Sequence, residues 1–261
     1  MDFPLELAHL TTRQARAVLE GSSTAVVLVP VGSTEPHGPH LPLSTDLIIS
    51  EEVCRRAASA LRRELVAAFV APVLPYGVTD FAAGFAGAIS IPAATLTAFV
   101  RDLCRAYLRD GWRHVSVVNN HLEPEHVAAL HAAVVEVNEQ GGGVDGGGIV
   151  PCSLPNVLSR RWGRTLTEEF KRGACHAGRY EGSLVLAARP ELVDVDVMKG
   201  LPENPVSLSD AIASGAQTFR EIGGEEAYFG APAEATAAEG EDTYARLVEM
   251  VRCEVLEALG R

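Results

Sequence analysis

The stretch from residue 30 to residue 46, PVGSTEPHGPHLPLSTD, limits the possible folds of this chain more than any other part of it. Within it, Glu35, His37, His40 and Asp46 lie close together along the chain. Prolines and glycines separate them, and a proline inside a helix removes a hydrogen bond and clashes with the preceding turn. The stretch therefore predicts an irregular loop that directs several oxygen and nitrogen ligands toward one point.

The residues around this loop predict a strand before it and a helix after it. Ala25–Val29 form a short, continuous apolar run, which is typical of a buried parallel strand. A helix is expected from residue 47 to about residue 65. The loop thus begins where a strand ends, which is where open α/β sheets bind their ligands. Asp46 could simply cap the helix, but Glu35 and His37, which point the same way in extended backbone, favour a role in metal binding.

A second group of polar residues has the same arrangement. Val115–Val118 predict another buried strand, and His121 and Glu123 come just after its end. A helix is then expected from Pro124, which suits a first helical turn, to about Asn138. Alone, a His-x-Glu pair is more often part of a solvated loop. Two strand ends that each deliver an imidazole and a carboxylate make that alternative weak.

Further candidate residues occur at two places where the sequence leaves their role open. His176 and Glu181 lie in HAGRYEGS, where small neighbours would leave the imidazole accessible and where a helix is expected to begin at Glu181. From spacing alone, each of the two has either a functional or a structural role. Cys175 suggests a thiol nucleophile, but a metal cluster makes one unnecessary. Glu125 and His126 fall inside the helix after the second strand and are expected at the surface or just behind the ligands.

The charges of these candidates indicate how many metal ions they would hold. Glu35, Asp46 and Glu123 would place three carboxylates in one cleft, where an unpaired buried carboxylate is costly. No lysine in these two loops compensates them. Two divalent cations would neutralise the carboxylates and leave one charge for a hydroxide, and imidazole with carboxylate ligands suits zinc or manganese. Two ions that share a carboxylate, about 3.5–4 Å apart, indicate hydrolysis.

The three groups together resemble the creatininase family of amidohydrolases. That family shows PVGSxEQHGPHLPLxTD, a histidine at a strand end and HxGxxExS in the same order, and the similarity spans roughly residues 26 to 194. The resemblance implies one three-layer α/β/α domain over residues 1–261 with a mainly parallel sheet, as the alternation of strands and helices also indicates. It further implies a homo-oligomer, which is a hexamer in creatininase.

The resemblance also implies a set of metal ligands. One divalent ion would be held by Glu35, Asp46 and His121. The other would be held by His37, Asp46 and Glu123, so that Asp46 bridges the two. The implied cofactors are therefore two divalent ions, zinc or manganese or one of each.

The catalytic residues implied by the resemblance are His176 and Glu181. His176 matches the family's proton-transferring histidine, and Glu181 matches the acid that closes the site, either as a ligand or just behind the ligands. A hydroxide between the ions would attack an amide carbonyl, and His176 would protonate the departing nitrogen. The implied reaction is hydrolysis of a non-peptide C–N bond in a small-molecule amide, cyclic amide or formamide.

This chain departs from the family where the substrate binds. Leu122 stands where creatininase has an aromatic side chain, and the residues before His176 lack the tryptophan and acids that surround creatinine. Pro36 replaces the usual glutamine. We therefore expect an intact metal site but a substrate other than creatinine. Arg172 and Arg179 would either bind an anionic group, which guanidinium suits, or be solvated charges at helix ends.

Two other functions remain open from the sequence. Some members of the family act on peptide termini, so a metal-dependent peptidase is an alternative, and it would need a long open groove. A non-catalytic metal-binding protein that has kept the fold is another. His176 and Glu181 count against the latter, because such a protein needs neither.

Composition argues against several other classes of protein. The net charge of −12, from 22 basic and 34 acidic side chains, repels phosphate backbones and argues against nucleic-acid binding. No apolar window of about eighteen residues predicts a membrane span, and the N-terminal MDFPLELAHL lacks the features of a signal peptide. The five cysteines include no C-x-x-C pair, which fits reduced thiols and a cytoplasmic protein.

The remaining segments carry less information. Gly141–Gly148 follows a predicted helix instead of opening one, so it predicts a flexible surface connection and not a phosphate-binding loop. Residues 196–240 predict an irregular segment. A final helix is expected over about 241–259.

Overall fold

A four-stranded parallel sheet forms the centre of the computed structural model, which describes residues 3–140 and 149–261. The predicted connection Gly141–Gly148 lies outside the described residues. The strands are β1 (Ala25–Val31), β2 (Ala67–Val70), β3 (His114–Asn119) and β4 (Cys152–Ser153). Across the sheet they lie in the order β2-β1-β3-β4, and each neighbouring pair is parallel.

Helices connect the strands and cover both faces of the sheet. Among the described residues, none of them is long and apolar enough to cross a membrane. In chain order they are α1 (Thr12–Gly21), α2 (Thr45–Arg63), α3 (Ala93–Asp110), α4 (Pro124–Gln140), α5 (Glu168–Lys171), α6 (Arg179–Ala188), α7 (Val195–Gly200), α8 (Leu208–Ala213) and α9 (Ala237–Ala258).

Strand β1 shows why the molecule has three layers. Its side chains alternate between the two faces of the sheet, as the strand geometry requires. Val26 and Leu28 pack into a core shared with α2, α6 and α9, whereas Val27 and Val29 pack into a second core shared with α3 and α4. All four are fully buried, and each such side chain contributes about 1.5–3 kcal/mol to folding. The predicted α/β fold with helices on both faces of a parallel sheet is confirmed.

Two helices begin at residues that differ from the predicted ones. Helix α2 begins at Thr45 instead of residue 47, so Asp46 lies inside its first turn. Helix α9 begins at Ala237, earlier than the predicted residue 241, because the Thr236 side chain accepts a hydrogen bond from the Glu239 N–H and caps the helix there.

The segment 196–240 is more regular than the predicted irregular chain. It contains most of α7 and all of α8, each preceded by a residue whose side chain caps the helix. Leu208, Phe219 and Phe229 from this segment belong to a third apolar cluster. This cluster lies over the carboxyl ends of the strands, beside the residues described next.

Candidate metal centre

The loop after β1 and the first turn of α2 bring three candidate ligands together. The His37 imidazole donates from Nδ1 to the Glu35 backbone oxygen at 3.2 Å, which leaves Nε2 facing carboxylates. That nitrogen lies 3.2 Å from Asp46 Oδ1 and 3.8 Å from Glu35 Oε1. Asp46 does not cap α2: its Oδ2 accepts the Ser33 N–H at 3.2 Å. A side chain at Gly32 would begin 2.6 Å from the Asp46 Cβ, so this close approach of strand and helix requires glycine.

The loop after β3 delivers His121 to the same point. Its Nε2 donates to the Val78 carbonyl oxygen at 2.6 Å, and its Nδ1 lies 3.1 Å from both Glu35 Oε1 and Asp46 Oδ2. All of these side chains are buried. The expectation that two strand ends converge is therefore met for these three residues.

His176 and Glu181 close the cluster from the start of α6. The Ala177 N–H donates to Glu181 Oε2 at 2.6 Å, and that oxygen lies 3.5 Å from His37 Nε2. The His176 Nε2 donates to the Pro36 carbonyl oxygen at 3.0 Å, and its Nδ1 lies 3.8 Å from Glu35 Oε1. Both residues are thus part of the cluster, and the helix that carries Glu181 begins two positions earlier than predicted, at Arg179.

Glu123 is near the cluster but not inside it. Its carboxylate accepts the Asp80 N–H at 2.9 Å and the Phe81 N–H at 3.3 Å. Within the described residues it belongs to none of the ligand groups given below. Glu181, expected to close the site as a ligand or just behind the ligands, lies beside His37 and Asp46 where Glu123 was expected. The ligand role of Glu123 stays a prediction.

The donor atoms form groups that fit a divalent ion. Within each group, the ligand atoms lie within 4.8 Å of one another, and all of the residues are buried. The His37 Nε2 is buried and has no partner besides the carboxylates it faces, which leaves it available as a ligand. Carboxylates with imidazoles and no thiolate are the donors that manganese and zinc accept. The groups are Glu35–Asp46–His121, His37–Asp46–Glu181 and Glu35–His37–His176.

The pKa values of the cluster reflect opposite charges that are buried close together. Burial would raise the pKa of Glu35, but the adjacent His121 imidazole lowers that pKa to about 2. Burial would lower the pKa of His37, but the charges of Asp46 and Glu181 raise it to about 10. The carboxylates are therefore balanced by protons on imidazoles. A divalent cation would supply the same positive charge and free those nitrogens as ligands.

Two members of the cluster have pKa values that favour their uncharged forms. Burial raises the pKa of Glu181 to about 8. Burial, assisted by the charge on His37, lowers the pKa of His176 to about 4. At neutral pH the His176 ring is thus an uncharged imidazole whose Nε2–H is engaged and whose Nδ1 lone pair faces Glu35.

A cavity of about 240 Å³ opens directly onto the cluster. No lysine or arginine of residues 3–140 and 149–261 lines it. Ser209, Cys175, Pro124 and all of the ligand and catalytic candidates except His37 complete a lining that is otherwise apolar. The apolar lining residues are Phe81, Leu122, Leu158, Leu208, Ile212 and Phe219.

The structure decides between the open alternatives for two arginines and one cysteine. Arg172 lies at a different depression of the surface, and Arg179 pairs with Glu234 at 2.9 Å and with Glu239. Neither lines the cavity beside the cluster, so the anion-binding alternative loses its support. Cys175 does line it, but burial raises the pKa of its thiol to about 12, which argues against a thiolate nucleophile.

Two residues lie against the candidate metal ligands; the sequence left the position of one of them open and gave no sign of the other. His126 was expected at the surface or just behind the ligands; it is fully buried, with its ring 4.6 Å from that of His121, so the surface alternative is wrong. Glu125 is exposed. The hydroxyl of Thr79 donates to the Glu35 carboxylate. No sequence signal marks Thr79, because its partner lies 44 residues away along the chain.

This fold and this cluster define a class of protein, the three-layer α/β proteins that carry buried groups of carboxylates and imidazoles able to hold divalent metal ions. Within that class the chain belongs to the creatininase family. The family's model, described as creatinine amidohydrolase, matches residues 8–254, which is nearly the whole chain. The predicted family membership is therefore confirmed, and the protein is a creatininase-family hydrolase with metal-binding residue groups.

Two curated relatives of this chain have names that refer to different substrates. The chain is 32% identical over 255 residues to the mycofactocin precursor peptide peptidase of Mycolicibacterium smegmatis, covering 94% of this chain and 88% of that protein. It is 30% identical over 202 residues to the creatinine amidohydrolase of Pseudomonas putida, covering 73% of this chain and 74% of that protein. One name refers to a peptide and the other to a small cyclic amide.

Solved structures of the family have the same fold. A creatinine amidohydrolase crystal structure has a TM-score of 0.78 at 22% identity, with 98% of each chain covered. A structure named creatininase Mn has a TM-score of 0.76 at 22% identity, covering 99% of this chain and all of that one. A mutant creatininase of Zn-Zn type has a TM-score of 0.75 at 21% identity, covering all of this chain and 98% of that one. The structural relatives of this chain thus include manganese and zinc forms.

Proposed function

We propose that this protein hydrolyses a C–N amide bond in an uncharged, largely apolar small molecule, with two divalent ions held by the buried cluster. The observation that carries the proposal is the position of that cluster. Its carboxylates and imidazoles form one side of an otherwise apolar cavity. A substrate amide that enters this cavity comes within reach of both the ligand groups and His176.

The residues of the cluster have separate tasks. Glu35, Asp46 and His121 would hold one ion, and His37 and Asp46 would hold the other together with Glu123, Glu181 or both. When bound, such ions lower the pKa of water to about 7 and polarise a carbonyl. Asp46 would be shared by these two positions, because it belongs both to the group with Glu35 and His121 and to the group with His37 and Glu181.

His176 would move the proton. Its Nε2–H is engaged by the Pro36 carbonyl, so the ring cannot turn freely and the Nδ1 lone pair faces the cluster. An uncharged imidazole in this position can accept a proton from the attacking water and return it to the departing nitrogen. The Phe219 ring packs against the His176 ring, with 4.5 Å between the two ring centroids, and restricts the motion of the imidazole further.

The apolar wall would bind the substrate and exclude water. It offers no cation of the described residues to a substrate carboxylate or phosphate. Its volume of about 240 Å³ lies below the range of about 300–1,000 Å³ that is usual for pockets of drug-sized ligands. Both properties favour a small, uncharged substrate.

A peptide terminus is the second candidate substrate, because the chain is 32% identical to a mycofactocin precursor peptide peptidase. The cavity is large enough for one terminal side chain, and Leu158, which is 52% exposed at its rim, leaves room for more chain outside. Such a peptidase would remove an apolar terminal residue or a short terminal segment.

Both candidates can be tested with one panel of substrates. Protein loaded with Mn²⁺ or Zn²⁺ is assayed against creatinine, hydantoins, cyclic ureas, formamides and dipeptides, and product amines are quantified. We expect turnover of uncharged amides with apolar substituents, abolished by a chelator and restored by metal. Exclusive cleavage of peptides would replace the small-molecule proposal by the second candidate. No turnover with bound metal verified by elemental analysis would refute both and indicate a binding protein.

A further inference from the structure

Residues Val78–Phe81 run behind the ligand candidates and bond to several of them; we call them the bracing segment. The carbonyl oxygen of Val78 accepts the Nε2–H of His121 at 2.6 Å. The hydroxyl of Thr79 donates to the carboxylate of Glu35. Its last two N–H groups donate to the carboxylate of Glu123. The position of this backbone therefore sets the orientation of side chains from both strand-end loops.

His126 holds the bracing segment from the opposite side. Its Nδ1 accepts the Val78 N–H at 3.2 Å, so that nitrogen carries no proton, and its Nε2–H donates to Asn119 Oδ1 at 3.1 Å. The ring is fully buried. It packs so closely on Gly77 that a side chain there would begin 2.2 Å from Nδ1. Position and tautomer of this imidazole are thus determined by its partners.

Asn119 connects His126 to His121 through a second set of hydrogen bonds. Its amide nitrogen donates to the His121 carbonyl at 2.6 Å, and its Oδ1 accepts the His121 N–H at 3.2 Å as well as the bond from His126. The backbone of His121 is fixed through Asn119, and its ring is fixed through Val78. His126 is hydrogen-bonded to both Val78 and Asn119.

We propose that His126 is a positioning residue for the metal centre: through Val78 and Asn119 it holds the His121 ring with Nδ1 toward Glu35 and Asp46. A ring nitrogen that donates to a backbone carbonyl leaves the other nitrogen unprotonated and ready to bind a metal. His126 touches no substrate and no ligand atom of the carboxylates, so its effect is indirect. The proposal rests on the metal-binding part of the proposed function.

The experiment measures metal affinity, not activity alone. His126→Phe keeps a ring of similar size but removes both hydrogen bonds. We expect the affinity of the metal-free protein for Mn²⁺, measured by competition with a chelating dye, to fall by about 10–100-fold, as is usual when a group behind a ligand is lost. The visible absorption spectrum of the Co²⁺-loaded variant should also change, because His121 no longer has one fixed orientation.

His114 provides the matched control. It is also a fully buried histidine, on β3, and it also makes two hydrogen bonds: to the Val150 carbonyl oxygen at 2.7 Å and with Ser153 Oγ at 3.0 Å. None of these partners belongs to the ligand groups. His114→Phe should therefore lower thermal stability while Mn²⁺ affinity and the Co²⁺ spectrum stay as in the unmodified protein.

Two further variants keep the proposal testable if His126→Phe does not fold. Gly77→Ala displaces the same ring from the other side and should weaken Mn²⁺ binding in the same direction. His126→Asn offers an oxygen near the place of Nδ1 and should recover part of the affinity. Unchanged affinity in the His126 and Gly77 variants, or an equal loss in His114→Phe, would overturn the inference. An unmodified protein that binds neither Mn²⁺ nor Zn²⁺ would instead overturn the proposed function.

Discussion

The metal-ligand cluster and the apolar wall of the cavity are held in place in different ways. Each ligand candidate has a directional partner: the Ser33 N–H bonds to Asp46, the Val78 carbonyl to His121, and the Ala177 N–H to Glu181. The wall is held by packing, chiefly in the third apolar cluster around Phe219. Hydrogen bonds specify orientation, whereas packing specifies volume, and volume-conserving apolar changes are tolerated best.

This difference suggests that chemistry and substrate choice can change independently in this fold. A substitution in the cluster should remove metal or turnover. A substitution in the wall should alter substrate binding and leave the metal untouched. The following variants test this separation, from the largest expected effect to the smallest.

Asp46→Asn should have the largest effect. The amide oxygen still accepts the Ser33 N–H, but the negative charge that two ligand groups share is lost. We expect loss of bound metal by elemental analysis and a fall in activity to background, well beyond the about 100-fold expected for a residue behind the ligands. Glu51→Gln, an exposed carboxylate on the same helix, should change neither. A variant that retained two ions would refute the bridging role.

His176→Ala should separate metal binding from turnover. We expect the metal content to stay unchanged while kcat falls by about 10²–10⁴-fold, the usual contribution of a proton-transferring side chain. The measurement pairs elemental analysis with steady-state kinetics. Loss of an ion would instead assign His176 as a ligand, which its place in the group with Glu35 and His37 allows geometrically.

Most of the cluster could be predicted because its members are close together in sequence and follow strand ends. Glu35 and His37 lie in one loop, Asp46 lies in the first helical turn after that loop, and His121 lies in the next loop along the sheet edge. Buried apolar runs located those strand ends, and parallel strands place their carboxyl ends at one edge.

Other features of the site depend on distances that no local pattern encodes. The closeness of Glu181 to His37 requires α6 to approach the loop after β1 from more than 140 residues away in sequence. The bracing segment acts partly through backbone atoms, which every residue carries, so its role is invisible in the side-chain pattern. The sequence left His126 either at the surface or just behind the ligands, because the rotation of α4 about its axis decides burial, and Glu125 beside it is exposed.

Ile212→Ala should have the smallest effect, and that effect should be on substrate binding alone. Ile212 lines the cavity from α8 and touches no ligand group. Shortening it removes apolar contact with the substrate, which is worth about 10-fold or more in kcat/KM for an apolar group. We expect the loss to appear chiefly in KM, with metal content and the effect of His176→Ala unchanged.

Ile222→Ala is the matched control for this variant. Ile222 packs against the same apolar cluster but does not line the cavity, so the same truncation should lower stability to a similar degree without raising KM. Equal kinetic defects in both variants would mean that the wall acts through overall packing and not through contact with substrate. Loss of metal in the Ile212 variant would show that wall and cluster are coupled, and the separation between chemistry and substrate choice would then fail.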